Sequence, residues 1–135
     1  MKKSFLLIIL FAIISCTNYT NIKDISKEYT IEKIDSLNSY YLIYAKKNNS
    51  LFKIVSKKDY IRGHRKIKIG SNYKLYLQSR KSQAPVINGV KISPINIIDI
   101  MCYNYDNNTE ICTDEKNGIS DLYSTKNLKG LYYIK

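Results

Sequence analysis

The side chains that most often carry out catalysis, redox chemistry or metal binding are scarce in this sequence. The 135 residues include one histidine, His64, and three cysteines. A nucleophilic serine or threonine needs a base to activate it, and a distant carboxylate such as Asp99 or Asp121 would have to complete a triad around His64. A zinc site would need two ligands beyond a pair of cysteines. The sequence therefore indicates a protein that is not an enzyme and that carries no metal or cofactor.

Two of the cysteines, Cys102 and Cys112, are spaced symmetrically about Asn107 in a segment whose pattern predicts a hairpin. Opposite residues of an antiparallel pair bring their Cα atoms to about 4.5–5.5 Å, which is within disulfide range. A redox-active pair is the alternative, but the spacing lacks the short C-x-x-C arrangement that lowers thiol pKa values. We therefore expect a structural disulfide, which would contribute roughly 2–3 kcal/mol by constraining the unfolded chain.

Positive charge is concentrated in one stretch of the chain, residues 46–81. This segment contains twelve Lys or Arg residues and one acidic residue, in a chain whose formal charge is +11. Half of these cations cluster around Gly63 and His64, where we expect a loop between strands. Such a loop attracts polyanions, because binding releases their counterions. The residues predicted to bind a polyanion are Lys57, Lys58, Arg62, Arg65, Lys66 and Lys68.

Two interpretations of this basic segment remain open. In the first, Tyr73 and Tyr76 add rings for stacking, and the ligand is lipopolysaccharide phosphate, a phospholipid headgroup, an acidic glycan or extracellular DNA. In the second, the segment is a solvated basic loop in a lysine-rich chain, and the tyrosines serve cross-strand packing.

The first sixteen residues have the features of an export signal. Lys2 and Lys3 precede an unbroken apolar run from Phe5 to Ile14. At about 1.5 Å per residue this run spans roughly 15 Å as a helix, which is half of a bilayer core. A basic start, a short apolar stretch and a small residue before the cleavage point are typical of a secretory signal.

The cleavage point itself, Ile13-Ile14-Ser15-Cys16, resembles the bacterial lipobox. The resemblance implies that Cys16 carries acyl chains such as palmitate, becomes the mature N-terminus and anchors a lipoprotein to a membrane of the cell envelope. Thr17 stands where an Asp would suggest retention in the inner membrane, so we favour the periplasmic face of the outer membrane. An ordinary signal with an incidental cysteine is the alternative. Export excludes intracellular nucleic acid as a partner.

Three regions follow from these features: a signal peptide over 1–15, a lipidated tether over 16–29, and a single β-rich domain over 30–135. Short runs of alternating and β-branched residues, separated by Asn-, Gly- and Asp-containing turns, predict strands throughout this domain. The predicted strand segments are 40–44, 51–55, 67–69, 73–77, 90–92, 97–105, 110–113 and 131–134. The fold class is therefore mainly β, a small antiparallel barrel or sandwich. The strand order and the segment Ile69-Gly70-Ser71-Asn72-Tyr73 resemble a small OB-like barrel.

Two classes of function fit a small exported domain of this kind. The first is a lipid-anchored binding or structural module whose basic segment contacts an anionic polymer of the envelope. The second is an inhibitor or immunity lipoprotein that binds an envelope-acting toxin or hydrolase. The first predicts binding that weakens with salt, whereas the second predicts a protein complex with a large buried interface.

The lipobox resemblance leads to a test on Cys16. The Cys16→Ala variant should accumulate as an unprocessed or unanchored precursor, because the thiol that accepts the lipid is lost. Membrane partition and the mass of the mature chain measure this outcome. Normal processing and normal membrane partition of the variant would contradict lipidation at Cys16.

Overall fold

A computed structural model describes residues 27–82, 86–91 and 101–135 of the protein. The predicted signal peptide, Cys16 and residues 16–26 of the predicted tether lie outside the described residues. Residues 83–85 and 92–100, which include Asp99 and part of a predicted strand, also lie outside them. Across the described ranges, no helix has the length and apolar character needed to cross a bilayer.

The described residues form short strands and one turn of 3-10 helix, Glu115–Asn117. The strands are β1 (Lys27–Leu37), β2 (Tyr40–Lys47), β3 (Ser50–Lys57), β4 (Asn72–Leu75), β5 (Leu77–Ser79), β6 (Val86–Ile87), β7 (Val90–Lys91), β8 (Cys102–Asp106), β9 (Thr109–Cys112), β10 (Leu122–Thr125), β11 (Leu128–Lys129) and β12 (Tyr132–Tyr133). The predicted fold class, mainly β, is confirmed.

Strands β1, β2 and β3 form an antiparallel meander with two tight turns. Asn38 and Asn48 occupy these turns with φ values of 49° and 54°, a left-handed conformation that asparagine tolerates better than most residues. Ile43 lies opposite Ile54 across the β2–β3 pair, and β-branched residues pack well on a pleated surface. The hairpin predicted for residues 40–55 is confirmed.

The main sheet nearly closes into a barrel. Its strand order is β4-β1-β2-β3-β10-β5, and the two edge strands are consecutive in the chain, separated by Tyr76. The chain therefore passes at Tyr76 from one edge of the sheet to the other. All pairs in this sheet are antiparallel except β3 and β10, which are parallel. With β4 and β5 taken as two halves of one strand, this connectivity is similar to the OB-fold, a five-stranded Greek-key barrel.

The strands β2 and β3 are buried on both faces, because successive side chains of a strand point to opposite sides. One face lines the barrel interior, where the buried residues are Tyr29, Ile31, Ile43, Ala45, Ile54, Ile67, Leu75 and Leu128. Side chains on the opposite, outer face contribute to a second buried cluster. This cluster is formed by Tyr40, Leu42, Val55, Ile111 and Leu122. Two separate apolar cores therefore hold the fold together.

The β8–β9 hairpin covers this outer face. Cys102 lies directly opposite Cys112 in its register, and the two sulfur atoms are at disulfide-bonding distance. The predicted proximity of the two cysteines is confirmed. Ile111 of the hairpin enters the second apolar cluster, and the hydroxyl of Tyr40 donates a hydrogen bond to the carbonyl of Tyr105 at 3.1 Å. The hairpin is thereby fixed on β2 and β3.

The strand predicted at Ile67–Ile69 is not formed as predicted. The β4 strand pairs with β1 instead of folding back on residues 67–69. An isolated bridge is made by the preceding residue, Lys66, with Tyr132. Ile67 is buried in the barrel interior, whereas Ile69 is 60% exposed. The predicted alternation of buried and exposed side chains holds for Ile67 and Lys68 and fails at Ile69. The segment is not paired with residues 73–77, because the chain that lies beside it comes from near residue 132.

Two further differences concern the start of the domain and the strand β10. The strand β1 begins at Lys27, so residues 27–29 of the predicted tether belong to the barrel, where Tyr29 is 3% exposed. The strand β10 was not predicted, although it lies between β3 and β5. Its four residues are too few to show a clear alternation, and its neighbours are distant in sequence.

The turn between β11 and β12 packs closely on the chain that leaves β3. Gly130 is buried there with a φ of +54°, and a Cβ atom at this position would lie 2.5 Å from the carbonyl oxygen of Asp59. Gly118 also has a positive φ, +75°, but a Cβ atom there would meet no atom within 4 Å. These two glycines share a backbone conformation and differ in the space around them.

This difference gives a matched pair of variants. Gly118→Ala should lower the free energy of unfolding by about 1–2 kcal/mol, the cost of a left-handed alanine. Gly130→Ala should lower it by roughly 2–4 kcal/mol, since steric overlap with the Asp59 backbone adds to that cost. Chemical denaturation of both variants measures the two values. Equal losses would contradict the close approach of Gly130 to Asp59.

Candidate functional site

A surface groove of about 1100 Å³ lies at the end of the barrel. Its walls come from the β3–β4 connection, from β4 and from the C-terminal strand. The groove is lined by Gly63, His64, Arg65, Lys66, Lys68, Asn72, Tyr73, Tyr133 and Lys135. We refer to this set of residues as the basic groove.

The β12 strand holds one side of the β3–β4 connection. The N–H of Tyr133 donates to the carbonyl of Arg65 at 3.0 Å, and the N–H of Ile67 donates to the carbonyl of Leu131 at 2.8 Å. Ile67 points into the barrel interior and is 4% exposed. Its neighbours Lys66 and Lys68 are exposed, because residues on either side of an inward-facing residue point outward in extended chain.

The β1 strand holds the other side of this connection. The N–H of Gly70 donates to the carbonyl of Ile31 at 2.7 Å, and the N–H of Ile31 donates to the carbonyl of Ser71 at 3.1 Å. Gly70 has a φ of +81°, which a residue without a Cβ atom adopts at no steric cost. Backbone hydrogen bonds therefore fix the connection on both sides of Lys68, at residues 65–67 and at residues 70–71.

Two tyrosines of the basic groove are fixed by hydrogen bonds at their hydroxyl groups. The ring centroids of Tyr73 and Tyr133 are 5.1 Å apart with an interplanar angle of 59°. The Tyr73 hydroxyl accepts a bond from the N–H of Lys68 at 3.0 Å. The Tyr133 hydroxyl donates to the carbonyl of Lys74 at 3.1 Å. Both rings therefore line the groove in a fixed orientation. Binding of a ligand to them costs little side-chain entropy of the protein, because the rings are already ordered.

Among the residues that the structure describes, no carboxylate side chain lines the basic groove. Within the described ranges, the one side-chain ion pair at 4.0 Å or less joins Lys33 to Asp35 at 2.7 Å, outside the groove. The ammonium group of Lys66 lies over the Tyr132 ring, 5.5 Å from the ring centroid, and no carboxylate of the described residues lies within 4.0 Å of it. A concave surface whose charged side chains are all of one sign concentrates field lines and attracts the opposite charge.

The structure divides the six predicted polyanion-binding residues into separate groups. Arg65, Lys66 and Lys68 line the basic groove. Lys57 and Lys58 line a different hollow of about 530 Å³, which also contains Lys129 and Asp59. Arg62 is exposed and lines neither hollow.

The tyrosines predicted to stack are divided as well. Tyr73 lines the basic groove, whereas Tyr76 lines a hollow between the two edge strands of the sheet. Tyr133 and Lys135 complete the groove and were not predicted, because their proximity to residue 65 depends on pairing across most of the domain. The sequence feature that comes nearest to finding them is the predicted final strand at 131–134, which contains Tyr133.

Two cations of the basic segment contact the β8–β9 hairpin and do not line the basic groove. Lys53 is 8% exposed, and its ammonium group donates to the carbonyl of Cys112 at 2.8 Å. Burial lowers the pKa of Lys53, and the carboxylates of Asp114 and Asp35 oppose that shift. Arg80 lies 5.7 Å and 5.6 Å from the ring centroids of Tyr103 and Tyr105. The basic segment 46–81 is therefore not one continuous binding surface.

Burial also raises the pKa of Tyr105 to about 12, against the opposing charge of Arg80. The phenol of Tyr105 therefore stays neutral where its hairpin packs on the barrel.

The residues considered for a catalytic triad are not assembled by the described part of the chain. The Nδ1 atom of His64 lies 3.4 Å from the carbonyl oxygen of Tyr133, on the surface. The buried carboxylate of Asp121 accepts hydrogen bonds from the Ser79 hydroxyl and from the N–H of Leu122. Asp121 thus joins β5 to the start of β10 and does not contact His64.

One group of three metal-ligating side chains occurs within the described residues, namely Cys102, Glu110 and Cys112, with ligand atoms within 4.8 Å of one another. The two sulfur atoms in this group are at bonding distance from each other. A disulfide between them leaves no thiolate to bind a metal.

Comparison with known proteins gives no match: no protein-family model, no curated protein and no solved structure is similar to this chain at the level that would show a relationship.

Proposed function

We propose that this protein is a non-catalytic module of the bacterial cell envelope, anchored through acyl chains on Cys16, and that it binds a polyanion in the basic groove. The observation that carries the proposal is the convergence of Arg65, Lys66 and Lys68 on one concave surface, to which the described part of the chain contributes no carboxylate side chain. Anchoring is supported by the lipobox resemblance at residues 13–16.

The fixed backbone of the β3–β4 connection supports this function. Cations on an ordered segment are presented together, so an anionic polymer meets several of them without first ordering a loop. Each contact with a polymer phosphate releases condensed counterions, which makes the affinity depend steeply on salt.

The covered outer face of β2 and β3 also supports the basic groove as the ligand site. In OB-folds, the face of strands 2 and 3 and the adjoining loops bind oligonucleotides and oligosaccharides. In this protein the β8–β9 hairpin packs on that face through Ile111. The accessible concave surface that carries cations is therefore the basic groove at the end of the barrel, and we place the anionic polymer there.

The proposal predicts salt-sensitive binding that depends on three side chains. The mature chain, residues 16–135 with Cys16→Ser, should bind a thymidine oligodeoxynucleotide used as a phosphodiester probe. In the triple variant Arg65→Gln, Lys66→Gln, Lys68→Gln, the slope of log affinity against log salt should fall by about 2, at about 0.7 per lost contact. Fluorescence titrations at several salt concentrations measure both slopes, and immobilised lipopolysaccharide provides a second polyanion.

The matched control removes the same charge from the neighbouring hollow, as Lys57→Gln, Lys58→Gln, Lys129→Gln. Its affinity should stay much closer to that of the parent chain. Equal weakening by the two triple variants would show that net charge, and not the basic groove, determines binding. No binding by the parent chain at about 0.15 M salt would contradict the proposed function. In that case protein partners, as expected for an inhibitor or immunity lipoprotein, would be sought.

A further inference from the structure

We infer that the polyanion bound by the basic groove is the phosphate headgroup surface of the same membrane that holds Cys16. This inference rests on the proposed function, because it identifies the ligand of the proposed site. It is carried by the charge of the groove, by the length of chain between Cys16 and the barrel, and by the point at which that chain enters the sheet.

The chain between the anchor and the barrel is short. Eleven residue steps separate Cys16 from Lys27, the first residue of β1. A fully extended chain advances about 3.3–3.6 Å per residue, so the start of β1 lies at most about 40 Å from the acylated residue. The barrel is thus confined to a thin layer next to the bilayer surface.

The basic groove lies beside the point where this chain enters the barrel. In the β1–β4 register, Lys27 pairs with Leu75, and Thr30 pairs with Asn72 of the groove. Three residues of strand cover about 10 Å. The groove is therefore within about 50 Å of the acyl chains even at full extension of the tether.

Confinement makes headgroup phosphates the ligand at highest local concentration. A tether turns binding into an intramolecular event with an effective concentration in the millimolar range. Each basic residue that lies within a Debye length of an anionic leaflet raises the membrane affinity roughly fivefold. Arg65, Lys66 and Lys68 are the residues of the groove that can contribute in this way. A lipid anchor and a basic patch together are a known means of holding a protein to a membrane in a set orientation. The groove would therefore orient the barrel on the bilayer.

A lysine footprint on the lipidated chain tests this inference directly. The acylated protein is placed in vesicles of phosphatidylcholine alone or of phosphatidylcholine with phosphatidylglycerol. The acetylation rate of each lysine by acetic anhydride is then measured by mass spectrometry. Lys66 and Lys68 report on the basic groove, and Lys57 and Lys58 serve as controls in the same molecule. A third sample adds the thymidine oligodeoxynucleotide to the phosphatidylcholine vesicles.

We expect the acetylation of Lys66 and Lys68 to slow by about fivefold or more in the anionic vesicles, with Lys57 and Lys58 changing by less than about twofold. About 1 M salt should remove this protection, since the Debye length then falls to about 3 Å.

Protection by the oligonucleotide but not by anionic vesicles would overturn the inference and leave the proposed polyanion binding intact. Equal protection of all four lysines in anionic vesicles would also overturn it, because the groove would then have no special orientation. Protection by neither ligand would contradict both the inference and the proposed function.

Discussion

The burial of Ile67 is the contact on which the basic groove depends. Its side chain lies in the barrel interior, and its N–H donates to the carbonyl of Leu131. Because this residue is fixed by both apolar contact and backbone, the residues on either side, Lys66 and Lys68, must point away from the core. Without the burial of Ile67, the same lysines would lie on a long surface connection, and each would bind an anion independently of the other.

Closure of the barrel brings the other wall of the groove into place. The sheet passes from one edge to the other at Tyr76, which sets β4 beside β1 and brings Tyr73 within 5.1 Å of the Tyr133 ring. The β8–β9 hairpin meanwhile covers the outer face of β2 and β3. The fold thus removes one broad surface from contact with solvent and leaves a concave, cationic one at the end of the barrel.

Local patterns in the sequence were sufficient where the partners are close in the chain. The β2–β3 hairpin and the opposition of Cys102 and Cys112 depend on alternation around a turn, which a short window contains. The four-residue strand β10 was missed because its parallel pairing with β3 joins residues such as Leu122 and Lys53, far apart in the sequence. Charge clustering put the predicted cations into one candidate set, whereas the structure places Arg65, Lys66 and Lys68 together with Tyr133 in one groove and Lys57 and Lys58 in another hollow. Pairing across the domain, which a short sequence window does not contain, decides which side chains share a groove.

The most direct test of the account is to observe which backbone amides respond to an anion. An isotope-labelled mature chain with Cys16→Ser would be titrated with the thymidine oligodeoxynucleotide while its amide spectrum is recorded at two salt concentrations. We predict shifts at residues 64–68, at Tyr73 and at Tyr133, all of which disappear at high salt. Shifts spread evenly over the exposed lysines, or centred on Lys57 and Lys58, would contradict it.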